Sequence, residues 1–553
     1  MEEVKKHANG RILDVDENPK KASQWIILAI QHVLARFVAC ITVPRIVFSG
    51  YVAPNGSSLV SSLIAPTILS AGVGSLIYLV LTKLKSPRFL ASAFAYISPM
   101  LSAIALGKEP VFNAQGVFLG YSANLWGLPI GRAFVGLVYI IVSLIIRFAG
   151  VNWLNKLLPT IVVGPVIRVI GLGLSTSAVS NLRTGPHLSF TSHGTPSWSS
   201  GYNLISLLSG LVARIVTALC SHYGKKTVAL IPFVLGRLAG YAVAVVFTGI
   251  SYAIPESNYL HDYFKVIDFT PLVNLFTKVD PETGHRVANI TIQSFLDYPR
   301  FLFLPETWNY AATNSICYTT TSELPSVLEV GKTTVVASSL TKMTNPFSAS
   351  QIGSIALLFL PVSFVTICEH IGDHKNRSGV LQRDLLKEPG LTKTLRGDGL
   401  ATAVSGRFCG AANTTYGENV AVVGVTKVAS VRVICLACLF SILLSFISPL
   451  RAITETIPAC VTGGVSLLLY GFIAASGVKR RIHEHVDMGK TKNIFVTSVI
   501  LVAGIGGLVF SFGPWKNPER IKITSTAAAR ILGIIRNLIL KEKPAAKEEA
   551  QNQ

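Results

Sequence analysis

The sequence predicts an all-α polytopic membrane protein, with about fourteen spans arranged as two inverted repeats of seven. Three observations carry this. Half of the 553 residues are hydrophobic and only 14% are charged, whereas soluble domains carry about a quarter charged residues. The apolar residues gather into runs, from Gln24 to Leu540, each near the ~20 residues that a helix needs to cross a bilayer. The runs also fall into two sets of seven on either side of a less apolar stretch. They are continuous rather than alternating, which argues against a β-barrel. The mean hydropathy of +0.52 agrees.

The first set lies near 24–48, 58–82, 89–107, 131–149, 157–180, 202–221 and 227–250. The second lies near 352–372, 394–410, 413–428, 431–449, 456–476, 493–512 and 524–540. The divisions are therefore a tail at 1–23, a first repeat at 24–250, a long extracytoplasmic connection at 251–351, a second repeat at 352–540 and a tail at 541–553. Basic residues orient the chain. Lys5, Lys6, Lys20 and Lys21 precede the first span, and Lys83, Lys85 and Arg88 follow the second. Lys225 and Lys226 precede the seventh, Lys375, Arg377, Arg383 and Lys387 follow the eighth, and Lys479, Arg480 and Arg481 follow the twelfth. All fall on one side if every run crosses, so both termini are expected in the cytoplasm of a multi-pass cell-membrane protein. Seven is odd, so the second set starts from the opposite side, which makes two similar halves inverted repeats.

The net charge of +21 would suggest nucleic acid in a soluble protein. Here the cations cluster in short loops between apolar runs, so they read as orientation signals and no nucleic-acid partner is expected. Eight cysteines are scattered, mostly in apolar runs, with no metal-binding spacing. The first 23 residues are polar and do not read as a signal peptide, so the first span is expected to direct insertion. VGKTT at 330–334 is not a phosphate loop, because Ser326 stands where the motif needs glycine.

In inverted repeats, short or broken segments at matching positions of the two halves point to the substrate site. The third span of each half fits. In the first half it is ASAFAYISP (91–99), interrupted by Pro99. In the second it is NTTYGENVAVVGVTK (413–427), about 21 Å long as a helix and too short for a ~30 Å core. Half-helices that meet near the midplane leave backbone groups unpaired, and these can serve a polar ligand. Carboxylates inside spans are costly and usually functional, which singles out Glu369 and Glu418. A helix end solvated by a loop would be the plain reading of Glu369, and a salt bridge to Arg132, Arg168, Arg214 or Arg237 that of Glu418. These arginines read first as snorkelling or helix-packing groups. Asp373 lies four residues after Glu369 on the same helix face, whereas His374 points about 140° away. Two carboxylates on one face favour proton exchange; a headgroup position for Asp373 is the equal alternative. His370 reads as a packing or hydrogen-bonding group. Gln31, His32 and Asn419 are polar groups at membrane depth, open to cavity lining or interhelical bonding. Phe94 and Tyr96 stand out by their position in the broken third span. The polar groups suit a small, flat, uncharged ligand, and no catalytic constellation suggests an enzyme.

Several stretches carry a resemblance: QHVLARFVACITVP (31–44), ASAFAYISP (91–99), VIGLGL (169–174), ICEHIGDHK (367–375), EPGLTKTLRGDGLAT (388–402), NTTYGENVAVVGVTK (413–427) and GGVSLLLYGFIAASG (463–477). Together they resemble the nucleobase–ascorbate transporter family (nucleobase–cation symporter 2), most closely its uracil permeases. The resemblance implies a core domain of spans 1–4 and 8–11, a gate domain of spans 5–7 and 12–14, and extended strands in spans 3 and 10. It implies a pocket in which Glu369 and Glu418 bind the base, completed by backbone near Tyr416 and Gly417 and near Phe94. It implies proton symport through Glu369, Asp373 and His374, with the proton as coupling ion, no cofactor and no metal. It also implies a homodimer through the gate domain, in contact with lipid. The chain departs from the pattern in three places. Asp373 stands where uracil permeases can carry a coupling histidine, and so resembles the purine-transporting branch. Ala421 stands at the glycine of the family signature. The 254–345 stretch is longer than the usual link. The alternatives are therefore a xanthine or purine permease and, from another class, an anion transporter or channel of the same general fold.

Overall fold

The structure, a computed structural model, describes residues 13–540 apart from 49–50, 53–58, 105, 107–109, 113–117, 123–126, 191–195, 226, 281–282, 284, 297–315, 318–348, 409, 412, 416–422, 424–425, 427, 513–520 and 524. Helices occupy most of the predicted runs; the run at 413–428 lies largely outside the described residues and opens as a strand. In the first half these are α1 (Ala22–Phe48), α2 (Leu59–Leu81), α3 (Ile97–Ile104), α4 (Gly127–Ala149), α5 (Thr160–Gly173), α6 (Ser175–Arg183), α7 (Leu204–Tyr223) and α8 (Pro232–Tyr252). In the second half they are α9 (Ala349–Leu381), α10 (Leu391–Arg407), α11 (Val431–Leu444), α12 (Ala459–His483), α13 (Thr491–Ile505) and α14 (Ser525–Ile539). Among the described residues, eight helices are long and apolar enough to cross a membrane, with α11, α13 and the Phe94–Ile104 segment as shorter apolar helices.

Local chemistry sets several boundaries. Asn203 caps α7 by accepting the Ser206 amide at 2.8 Å, which satisfies one of the free amides of the first turn. α8 opens on Pro232, whose missing N–H is no loss there. Arg480, Arg481 and His483 fill the last turn of α12, where cations complement the helix dipole.

The helices pack in two groups. In one, α10 lies between α2 and α4, α11 packs on α1 and α2, and α9 packs on α4. In the other, α12 lies against α5, α6 and α7, α8 packs on α7, and α13 packs on α5 and α14. Small residues make the close crossings possible. A Cβ on Gly136 of α4 would stand 2.9 Å from the Gly399 carbonyl of α10. A Cβ on Gly464 of α12 would stand 2.0 Å from the Gly210 carbonyl of α7. A Gly464→Ala variant is therefore expected to lose about 1–3 kcal/mol through overpacking; a thermal melt of the purified protein in detergent reads the loss.

Two very short strands stand where the spans were expected to break. β1 (Ala91–Ser92) pairs antiparallel with β2 (Asn413–Thr414), Ser92 opposite Asn413 and Ala91 opposite Thr414. β1 runs through a short 3-10 turn, Phe94–Tyr96, into α3. Side chains of neighbouring helices meet the backbone around β2. Thr402 donates to the Asn413 carbonyl, and Thr67 accepts the Ala411 amide at 2.9 Å. The Asn413 side chain in turn donates from Nδ2 to the Ser70 carbonyl at 2.7 Å.

The described part of the long connection is a packing element. Its helix Thr270–Phe276 lies on the helix Ser448–Thr456 that leads into α12. The Ser448 hydroxyl donates to the Gln293 carbonyl at 2.8 Å. At the other end of the chain, the Leu13 and Val15 carbonyls accept the Ala429 and Val431 amides, each at 3.0 Å. Asp14 and Asp16 pair with Arg383 at 3.1 and 3.3 Å.

Candidate functional site

The β1–β2 crossing places the Phe94–Tyr96 turn beside the middle of α9. The Tyr96 hydroxyl bonds that of Thr366 at 2.7 Å, and Thr366 lies one turn before Glu369 on the same helix. Phe94 is buried and meets the ring of Tyr470 on α12 edge-on, with centroids 6.1 Å apart. Phe94 therefore sits on the seam between the two packing groups.

Glu369 lies on the same seam. The residue as a whole is half-buried. It lies within electrostatic range of Arg480 on α12, Arg530 on α14 and Asp373 one turn further along α9. Arg480 is held in place by donating to the Cys368 carbonyl at 3.2 Å. A carboxyl group of the first group thus lies within electrostatic range of two arginines of the second. Asp373 is part-buried and lies 3.9 Å from the Arg88 guanidinium.

The two histidines of EHIGDH turn the other way, into the first group. His374 Nδ1 bonds the His370 carbonyl at 2.8 Å, and its Nε2 bonds the Tyr78 hydroxyl at 3.0 Å. This is the orientation its angular offset from Glu369 predicts. His370 is fully buried, as is its partner Asp398. His370 Nδ1 bonds Asp398 Oδ2 at 2.8 Å, and Nε2 bonds the Thr394 hydroxyl at 3.1 Å. Asp398 also accepts the Thr414 hydroxyl at 3.1 Å, and Thr414 meets the Tyr139 hydroxyl at 3.4 Å. One buried network thus ties α9, α10, β2 and α4 directly behind Glu369.

His370 is the hydrogen-bonding group that the sequence suggests. Asp398 was not singled out, although a charge inside the apolar run 394–410 is the same signal that marks Glu369. Arg132 is a helix-packing group, fully buried, with Nη1 3.4 Å from the Ser405 carbonyl. Arg237 is buried against Thr42. Arg214 is exposed, and Arg168 is half-buried. On α1, His32 is buried and Gln31 half-buried. Tyr416, Gly417, Glu418, Asn419 and Ala421 lie outside the described residues; β2 ends two residues before Tyr416.

The described arrangement combines a carboxylate acceptor, two nearby cations, an aromatic wall and a broken span. These features suit a flat ring that presents N–H groups to the carboxylate.

The Permease family model Xan_ur_permease matches residues 23–281 and 308–511. The chain is 33% identical over 542 residues to the uracil permease of Bacillus caldolyticus, covering 98% of this chain and 97% of that protein. It is 31% identical over 526 residues to the uracil permease of Bacillus subtilis, covering 95% and 94%. It is 31% identical over 531 residues to that of Escherichia coli K12, covering 96% and 94%. Among solved structures, the murine Solute Carrier 26 family member A9 anion transporter in the inward-facing state superposes with a TM-score of 0.55. That match has 10% identity and covers 95% of this chain and 69% of the other; such a likeness speaks for the fold alone.

Proposed function

The chain belongs to the nucleobase–ascorbate transporter family of permeases, and from that membership we propose that it imports uracil by proton symport. It is a permease rather than an enzyme, with several helices that cross the membrane. The observation that carries the reading is the near full-length relation to proteins named uracil permeases. The half-buried Glu369 on the seam supports it.

In this reading Glu369 accepts a ring N–H, and Glu418 of the tenth span accepts a second. Backbone near Tyr416 and Gly417 donates to ring carbonyls, and Phe94 covers the ring. Gln31, His32 and Asn419 line the cavity. Glu369, Asp373 and His374 exchange the proton. The first packing group is the core and the second is the gate, as two inverted sets of seven spans with both termini cytoplasmic. Alternating access is a movement of core against gate. Inward proton movement adds about 2.3 kcal/mol per charge per 100 mV. The gate is the surface through which two copies would associate. Asp373 favours one second reading, a xanthine or purine permease.

Uptake of labelled uracil at several pH values, with xanthine and hypoxanthine as competitors, tests the reading. Uptake is expected to rise with external acidity and to be blocked by excess uracil. Block by xanthine with no effect of excess uracil would replace uracil with a purine.

A further inference from the structure

Two arginines cross the seam in opposite directions, well away from Glu369. Arg45 lies near the far end of α1, in the first group. Its Nη1 donates to the Thr462 hydroxyl of α12 at 2.9 Å. Its Nη2 donates to the Glu455 carbonyl at 3.1 Å, in the helix that leads into α12. Arg237, in the second group, donates from Nη2 to the Thr42 hydroxyl of α1 at 2.8 Å. Thr42 lies less than one turn before Arg45. One turn after Arg237, the Tyr241 hydroxyl bonds that of Thr456 at 2.7 Å, so the helix that carries Arg237 is tied to the element that receives Arg45. A cavity of about 430 Å³ opens beside the seam, lined by Arg45, Gly185, Asp268, Glu455, Thr456 and Pro458 among others.

The hydrogen-bond acceptors are hydroxyls and a carbonyl, the Glu455 carboxylate adds a charge interaction with Arg45, and all of these lapse once the two groups separate. On α12, Thr462, Ser466 and Tyr470 recur at helical spacing on one face. That face runs from the arginine contacts to Phe94, and Ser466 and Tyr470 are buried. The seam is thus closed from Arg45 down to the candidate site.

We propose that Arg45 and Arg237 form a reciprocal clamp that holds core and gate shut on the outer side and sets how often the site opens outward. The proposal rests on the reading that core and gate move against each other with both termini cytoplasmic. Neither arginine is a substrate ligand; both act by positioning one group against the other.

The test uses the full chain in intact cells, with Ser466→Cys as the reporter and a membrane-impermeant maleimide as the probe. The chain without that substitution measures labelling of the native cysteines. Labelling of the reporter is expected to be slow with the clamp intact. It should rise at least about fivefold with Arg45→Gln or Arg237→Gln, the lower end of the usual coupling between two-state elements. Thr42→Val removes only an acceptor and should raise labelling in the same direction, which covers the case in which an arginine variant does not fold. Equal labelling with clamp intact and broken, in variants that elute as monodisperse protein, overturns the proposal. The labelling does not depend on substrate. Raised labelling in a chain whose parent takes up no uracil would retire the uracil reading and leave the clamp standing.

Discussion

Glu369→Gln is expected to abolish concentrative uracil uptake and to weaken uracil binding roughly 10- to 100-fold, the scale of a lost hydrogen bond to a charged group. Glutamine keeps the length and one acceptor oxygen, so the loss isolates the charge and the exchangeable proton. The charge matters beyond the ligand, because Arg480 and Arg530 both act on this carboxylate from the opposite group. Binding of labelled uracil to purified protein reads the affinity, and uptake into vesicles with an imposed proton gradient reads the coupling. Wild-type uptake by the variant would remove Glu369 from the site. Binding retained with uptake lost would place it in coupling alone.

Asp398→Ala is expected to cost about 1–3 kcal/mol of stability for each buried partner it leaves unsatisfied. It strips partners from His370 and Thr414 at once. It also loosens α9 against α10 directly behind Glu369, so uptake should fall even where folded protein is recovered. A thermal melt in detergent gives the first effect and uptake per folded molecule the second. A double variant with His370→Phe should lose less than the sum of the two single losses, because both remove the same contact. Strict additivity would show that the two side chains act separately.

The likeness of this fold to that of an anion transporter marks the limit of fold as a guide to substrate. The same framework can carry a site for an anion or for a neutral ring. In the proposed reading what separates them is local: Glu369 on the seam, and the NTTYGEN segment that begins with β2. Both were legible as residues, because a carboxylate in an apolar run is conspicuous for the energy it costs.

Other features were legible only in part. The breaks at 91–99 and 413–427 could be read from length and from Pro99, and the β1–β2 pairing appears at those positions. Their antiparallel register could not be read, because it joins residues more than three hundred positions apart. Asp398 carried the same signal as Glu369, yet its Gly- and Thr-rich surroundings read as a weak span. Its importance appears only when His370, Thr394 and Thr414 converge on it. Arg45 gave no signal, since a basic residue near a span end is ordinary. Its significance comes from Thr462 and Glu455, brought across the seam by packing.

The sequence by itself determined the membrane class, most of the helix positions and the family, and it singled out Glu369 as a carboxylate inside a span. Each follows from local cost: apolar length against bilayer thickness, and charge against a medium that resists it. The tertiary structure alone decided which helices form each group, how Asp398 fastens α9 to α10 behind Glu369, and where arginines cross the seam. Those features depend on close helix crossings such as Gly136 on Gly399 and Gly464 on Gly210, contacts between distant parts of the chain that no local pattern encodes.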